Sequence, residues 1–60
     1  MTYTITSAVH NDSVQTTSIK VAFAQFRVFI DESMEISPEC IDVRLMDEDK
    51  GDDVARYTVG

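Results

Sequence analysis

The feature that most constrains this fold is the apolar run at residues 18–30, SIKVAFAQFRVFI, which is the longest in the chain. Helical spacing gathers its apolar residues into one stripe, whereas strand alternation mixes them with Lys20, Gln25 and Arg27. The run therefore predicts a helix that fills the core. We expect its buried stripe to consist of Ile19, Ala22, Phe23, Phe26, Phe29 and Ile30.

Two sequence patterns compete for the beginning of this helix. Asp12 with Gln15 three positions later resembles a capping box, while Thr17 and Ser18 are alternative N-caps. We place the helix start near Thr16.

Pro38 limits the helix at its other end. A proline cannot sit inside a continuing helix, so the element is expected to end by Ile36 or Ser37. Asp31 and Glu32 lie near that end, where carboxylates oppose the helix dipole. Either the helix stops before Asp31, or these charges serve another purpose.

Three further segments alternate apolar and polar residues and are expected to form strands: residues 2–9, 41–46 and 54–59. The last two are joined by DEDKGDD, in which Gly51 can take a positive φ, so they are predicted to form a hairpin. A helix at residues 38–49 is the alternative, because Pro38 suits a helix start.

The chain is expected to form one domain, residues 1–60, because sixty residues support only a small core. The order of elements is β-α-β-β. The predicted fold class is α+β: a small three-stranded antiparallel sheet with one helix packed on one face.

Charge is divided unevenly along the chain. Residues 1–30 contain one acid and two bases, and residues 31–60 contain ten acids and three bases, for a total charge of −6. An acidic surface repels nucleic acid and anionic membranes and attracts basic proteins. We therefore expect a basic protein partner, with no direct nucleic acid and no membrane.

Cysteine usage and hydropathy indicate the compartment. Cys40 is the single cysteine, so no disulfide can form within a chain, and we expect it at the edge of the core. The first residues lack the pattern of a signal peptide, and the run at 18–30 is too short to span a bilayer. A soluble, cytoplasmic protein is expected.

The densest cluster of carboxylates falls in the predicted hairpin, and we predict it to be the main partner-binding site. Same-face residues on a strand lie about 6.6 Å apart, so such carboxylates can approximate a row of phosphates on one nucleic-acid strand. A solvated turn is the alternative, since Asp and Gly are common in turns. The primary candidates are Asp47, Glu48, Asp49, Asp52 and Asp53, and the secondary ones are Asp31, Glu32 and Glu35.

No motif indicates a metal, a cofactor or catalysis, and we expect none of the three. The hairpin fails as a calcium loop because Gly51 comes one residue early and Thr58 replaces the required Glu. His10, Asp12 and Ser13 are too close in sequence to adopt a hydrolase triad.

Val21 and Val28 lie seven residues apart, away from the predicted stripe, so a one-sided sheet would not cover both. They form either a wide buried face or a second contact surface. The latter supports an alternative function: a small homo-oligomeric structural or assembly module, such as a homodimer, with a solubilising acidic face. Adaptation to high salt is a third hypothesis, although the acids here are segregated.

In size, charge and architecture the chain resembles small acidic inhibitors encoded by bacteriophages, in particular the anti-CRISPR proteins that mimic DNA. The resemblance implies a non-enzymatic inhibitor in the bacterial host cytoplasm. Its acidic surface would block the DNA-binding site of a host defence protein, such as a CRISPR effector subunit.

Overall fold

A sheet and a single helix packed across one of its faces make up the structure. The computed structural model describes all residues 1–60. The elements follow the order strand, strand, helix, strand, strand. They are β1 Tyr3–Ser7, β2 Asp12–Thr16, α1 Ile19–Ile36, β3 Ile41–Asp47 and β4 Asp52–Val59.

The strands form one antiparallel sheet in the order β2-β1-β3-β4. The α+β class and the helix on the sheet are confirmed, but the prediction of three strands is wrong because it omits β2. Local sequence gives β2 little support, since Val14 is its one large apolar residue. Asn11 has a φ of 50° and lies in the turn between β1 and β2. After this turn the chain runs antiparallel to β1, and Val14 lies opposite Ile5. Pairing with β1 thus overrides weak local preference.

Helix α1 begins after Ser18, one of the predicted alternatives. The Oγ atom of Ser18 accepts a hydrogen bond from the backbone N–H of Val21 at 3.3 Å, which satisfies one free donor of the first turn. The predicted Asp12 and Gln15 capping box is wrong, because both residues belong to β2.

The helix ends at Ile36, as predicted, and the N–H of Ser37 donates to the carbonyl of Ser33 at 2.8 Å. It is not long and apolar enough to cross a membrane. The alternative helix at residues 38–49 is wrong, since residues 41–47 pair with β1 and β4.

The core lies between α1 and the inner face of the sheet, and burial alternates along β1 and β3 as predicted. The buried apolar residues are Tyr3, Ile5, Ala22, Phe29, Ile41, Val43 and Leu45. The predicted helix stripe is only partly buried: Ile19 and Phe23 remain exposed, Phe23 by 42%. The reason is that α1 lies over β1 and β3 and reaches β2, but leaves β4 largely uncovered.

Candidate interaction surface

The β3–β4 hairpin carries the five acids predicted first as partner-binding, here called the hairpin tip: Asp47, Glu48, Asp49, Asp52 and Asp53. Asp47 is only 5% exposed. Its Oδ1 atom accepts hydrogen bonds from the N–H groups of Asp49 and Lys50, at 3.0 and 3.3 Å. Its carbonyl accepts from the N–H of Gly51, whose φ of 71° suits glycine. Asp47 therefore stabilises the conformation of the turn through these hydrogen bonds.

Glu48 and Asp49 face the beginning of β1. The hydroxyl of Thr4 donates to Oε1 of Glu48 at 2.6 Å, and the N–H of Thr2 donates to Oδ2 of Asp49 at 3.1 Å. The amino group of Met1 lies 3.6 Å from the same Asp49 oxygen. Both carboxylates stay exposed, yet each already has a partner within the chain.

Asp53 is paired on the outer face of the sheet, which α1 does not cover. Nη2 of Arg44 donates to both of its carboxylate oxygens, at 2.9 and 3.2 Å.

A second cross-strand pair joins Arg56 to Asp42 through two hydrogen bonds of 3.3 and 3.2 Å. The hydrogen bond and the charge of Asp42 raise the pKa of Arg56 above its ordinary value.

Asp52 is the one tip acid with neither a hydrogen bond nor an ion pair from its side chain. It is exposed, as is Lys50 in the same turn. Of the five tip carboxylates, only Asp49 and Asp53 therefore lie beside a positive group. Asp47 and Glu48 accept hydrogen bonds from neutral groups.

The secondary candidates, Asp31, Glu32 and Glu35, are here called the helix-end acids. They lie in α1 and not in a linker, because the helix continues to Ile36. All three are exposed, the last turn contains no basic residue, and no Lys or Arg forms an ion pair with any of them. The negative end of the helix dipole adds to their charge.

The two acidic groups lie at opposite ends of the molecule. Asp49 contacts Thr2, just before β1, whereas Glu32 lies 3.4 Å from His10, just beyond the end of β1. The length of β1 separates these points by about 13 Å, and the longest dimension of the molecule is 32 Å. The helix-end acids therefore do not extend the hairpin tip as one surface.

His10 joins a cluster that resembles a hydrolase triad in composition. The Oγ atom of Ser7 lies 2.7 Å from Nδ1 of His10, whose Nε2 lies near Glu32. Ser7 is only 2% exposed beneath the helix, so a substrate cannot reach its hydroxyl. Asp12 and Ser13, rejected from the sequence as triad partners of His10, form no hydrogen bond with it. Asp12 instead accepts a hydrogen bond from the N–H of Ser13.

The short loop after α1 differs from expectation at two neighbouring residues. Cys40 is exposed, so its predicted place at the edge of the core is wrong. Glu39 is also exposed and adds a carboxylate in the loop after the helix end. No group of three or more His, Cys, Asp or Glu side chains is placed to hold a metal ion.

Both flanks of α1 expose apolar side chains. Val21 and Val28 are exposed, so of the two alternatives left open by the sequence the wide buried face is wrong. Sequence reasoning missed the opposite flank, where helical spacing places Ile19, Phe23 and Met34 together and all three are exposed.

Comparisons of the chain with protein-family models, curated proteins and solved structures find no match. Its function is therefore inferred from geometry and charge.

Proposed function

We propose that this protein is a non-enzymatic inhibitor whose acidic surface takes the place of DNA in the binding groove of a basic host protein. The partner is a DNA-binding protein of bacterial defence, such as the DNA-recognising subunit of a CRISPR effector. The helix-end acids contribute more to this binding than the hairpin tip does.

The observation that carries the proposal is the lack of any Lys or Arg partner for the helix-end acids. Asp31, Glu32 and Glu35 are exposed at the negative end of an 18-residue helix with no Lys or Arg in its last turn. Glu35, in the last turn, destabilises the helix by about 0.3–1 kcal/mol at low salt, and the effect is smaller for Asp31 and Glu32 one turn earlier. A basic groove would remove this repulsion, so the free protein is electrostatically prepared for a cationic partner.

The position of the two acidic groups also supports imitation of DNA. They are separated by at least the length of β1, about 13 Å. The longest dimension of the molecule, 32 Å, lies within one helical turn of B-DNA, about 34 Å. Basic side chains that contact phosphates within one turn can therefore meet carboxylates at both ends. The tip contributes Glu48, Asp49 and Asp52 on a turn that Asp47 holds rigid.

The protein then inhibits its partner by occupying the DNA-binding groove. Carboxylates around the contact accelerate association with a basic groove, and added salt weakens the attraction. While the groove is filled, duplex DNA cannot enter, and in a CRISPR effector this would prevent recognition of the target. The inhibitor needs no chemical step for this effect.

Capture from bacterial lysate tests the proposal. The wild-type protein is immobilised, lysate is passed over it, and retained proteins are eluted with excess duplex DNA. A parallel column carries the double variant Asp31→Gln, Glu35→Lys. We expect the wild-type column to retain a DNA-binding protein that duplex DNA releases, and the variant column to retain much less of it. Retention of no DNA-binding protein, or retention that duplex DNA does not reverse, would contradict the proposal.

A further inference from the structure

Strand β4 is an open edge of the sheet and the least covered part of the fold. It is eight residues long and pairs only with β3, while α1 packs over the other strands. Ala55 and Tyr57 are half-buried on its inner face, and Val59 is exposed there. Exposed strand edges are templates for pairing with another strand.

The direction of the backbone groups in β3 follows from two hydrogen bonds to the segment around β1. The N–H of Ala8 donates to the carbonyl of Asp42 at 3.0 Å, and the N–H of Glu48 donates to the carbonyl of Thr2 at 2.9 Å. Even-numbered residues of β3 therefore direct their backbone groups to β1. Odd-numbered residues direct theirs to β4, because these directions alternate along a strand.

The same alternation determines which groups of β4 are free. Val43 lies opposite Tyr57 and Ile41 lies opposite Val59, so Tyr57 and Val59 use their backbone groups within the sheet. The backbone groups of Arg56 and Thr58 consequently point away from β3, to the open edge.

We propose that a second copy of this chain pairs its β4 antiparallel with this edge, in the register that sets Tyr57 opposite Tyr57. Arg56 of each copy then lies opposite Thr58 of the other, and both residues have outward-facing backbone groups. Each such pair exchanges two N–H to carbonyl hydrogen bonds, so the dimer forms four. The two sheets become one continuous sheet of eight strands.

Side chains and charges are compatible with this register. Ala55 lies opposite Val59 on the inner face, beside the pair of tyrosines, and Arg56 lies opposite the uncharged Thr58. A register centred on Arg56 would instead oppose two like charges, which destabilises a strand pair. No acid lies between Val54 and Val59, so the segment that pairs is free of the repulsion expected between two chains of charge −6.

Incomplete burial in the single chain is a further reason to expect a second copy. Ten of its 60 residues are buried, and Ile19, Phe23 and Met34 line the helix flank on the β4 side, opposite the flank where Glu32 meets His10. A stable interface needs about 800 Å² from each partner, roughly a fifth of the 3914 Å² surface of one chain. The β4 edge and the exposed apolar side chains of this flank are the surfaces available to supply it.

Sedimentation equilibrium from micromolar to millimolar concentration measures how strongly the chain dimerises. The proteins compared are the wild type, Thr58→Pro and the control Thr58→Ala. Proline removes an outward N–H while the bonds to β3 remain, so we expect the variant to keep the wild-type circular dichroism and to dimerise at least about tenfold more weakly. Thr58→Ala retains the N–H and should dimerise like the wild type. Amide exchange gives a second measurement on the wild type: the N–H groups of Arg56 and Thr58 should be protected at high concentration and unprotected on dilution.

The inference is independent of the proposed inhibition, and the variant Asp31→Gln, Glu35→Lys should dimerise normally. A wild-type protein that stays monomeric at all concentrations would overturn the inference. So would a dimer in which the Arg56 and Thr58 amides remain unprotected. Loss of such a dimer in Val28→Asp would then assign the contact to the flank that carries Val21 and Val28.

Discussion

The hairpin tip and the end of α1 both collect carboxylates, but the surrounding chain contacts them very differently. At the tip, Asp47 accepts two hydrogen bonds from the turn, and Arg44 donates to both oxygens of Asp53. At the end of α1, Asp31 and Glu35 receive neither hydrogen bonds nor ion pairs from the rest of the chain. The group that is denser in sequence is therefore the more neutralised group in the fold.

Acids in a turn can therefore stabilise the fold, whereas acids at a helix end are unfavourable to it. Asp and Gly in a hairpin satisfy backbone donors and permit a positive φ. A carboxylate at a helix C-terminus opposes the dipole and has no such local role. Substitutions should therefore change stability in opposite directions at the two ends.

The largest expected effect on stability is at Asp47. In Asp47→Ala the partly buried N–H groups of Asp49 and Lys50 lose their charged acceptor, which should lower the free energy of unfolding by about 2 kcal/mol. Urea unfolding followed by circular dichroism measures the change. The melting temperature should fall by about 10 °C or more.

Two substitutions serve as controls for this effect. Asp52→Ala changes the residue opposite Asp47 and should stay within about 0.5 kcal/mol of wild type, because the Asp52 side chain is exposed and forms no hydrogen bond or ion pair. Asp47→Asn keeps the Oδ1 acceptor and should recover most of the loss. If Asp47→Ala and Asp52→Ala lower the free energy of unfolding equally, Asp47 has no structural role that Asp52 lacks.

A smaller effect of opposite sign is expected at Glu35. Glu35→Lys replaces an unfavourable charge at the helix end by a favourable one and places a lysine four residues after Asp31. The free energy of unfolding should therefore rise by about 0.5–1.5 kcal/mol at low ionic strength. The same unfolding measurement detects the gain, which should shrink as salt is raised. A loss of stability would show that Glu35 has a structural role comparable to that of Asp47.

The sequence was sufficient to predict where the acids lie but not what they contact. Turn composition predicts the hairpin, and Gly51 has the positive φ expected of it. The partners of the tip are distant along the chain: Thr4 is 44 positions from Glu48. Such contacts depend on how β1 pairs with β3, which local patterns do not encode.

The same limit explains the two main errors about the fold. Strand β2 is short and polar, and it becomes a strand because β1 offers it a free edge. Ile19 and Phe23 follow the apolar period of the helix, but the helix lies too far from β4 for that flank to be buried. Periodicity identified the helix and the strands β1, β3 and β4, while the position of one element on another required the three-dimensional structure.

The most direct test of the central claim compares two variants of equal charge change. Asp31→Gln with Glu35→Lys alters the helix end, and Glu48→Gln with Asp52→Lys alters the tip while leaving the acceptor for Thr4. Each is titrated into a complex of duplex DNA with the protein captured from lysate, and displaced DNA is measured by gel shift. We expect the helix-end variant to displace DNA far more weakly than wild type, and the tip variant to lose clearly less of this activity. Equal activity of both variants, or a greater loss in the tip variant, would contradict this claim.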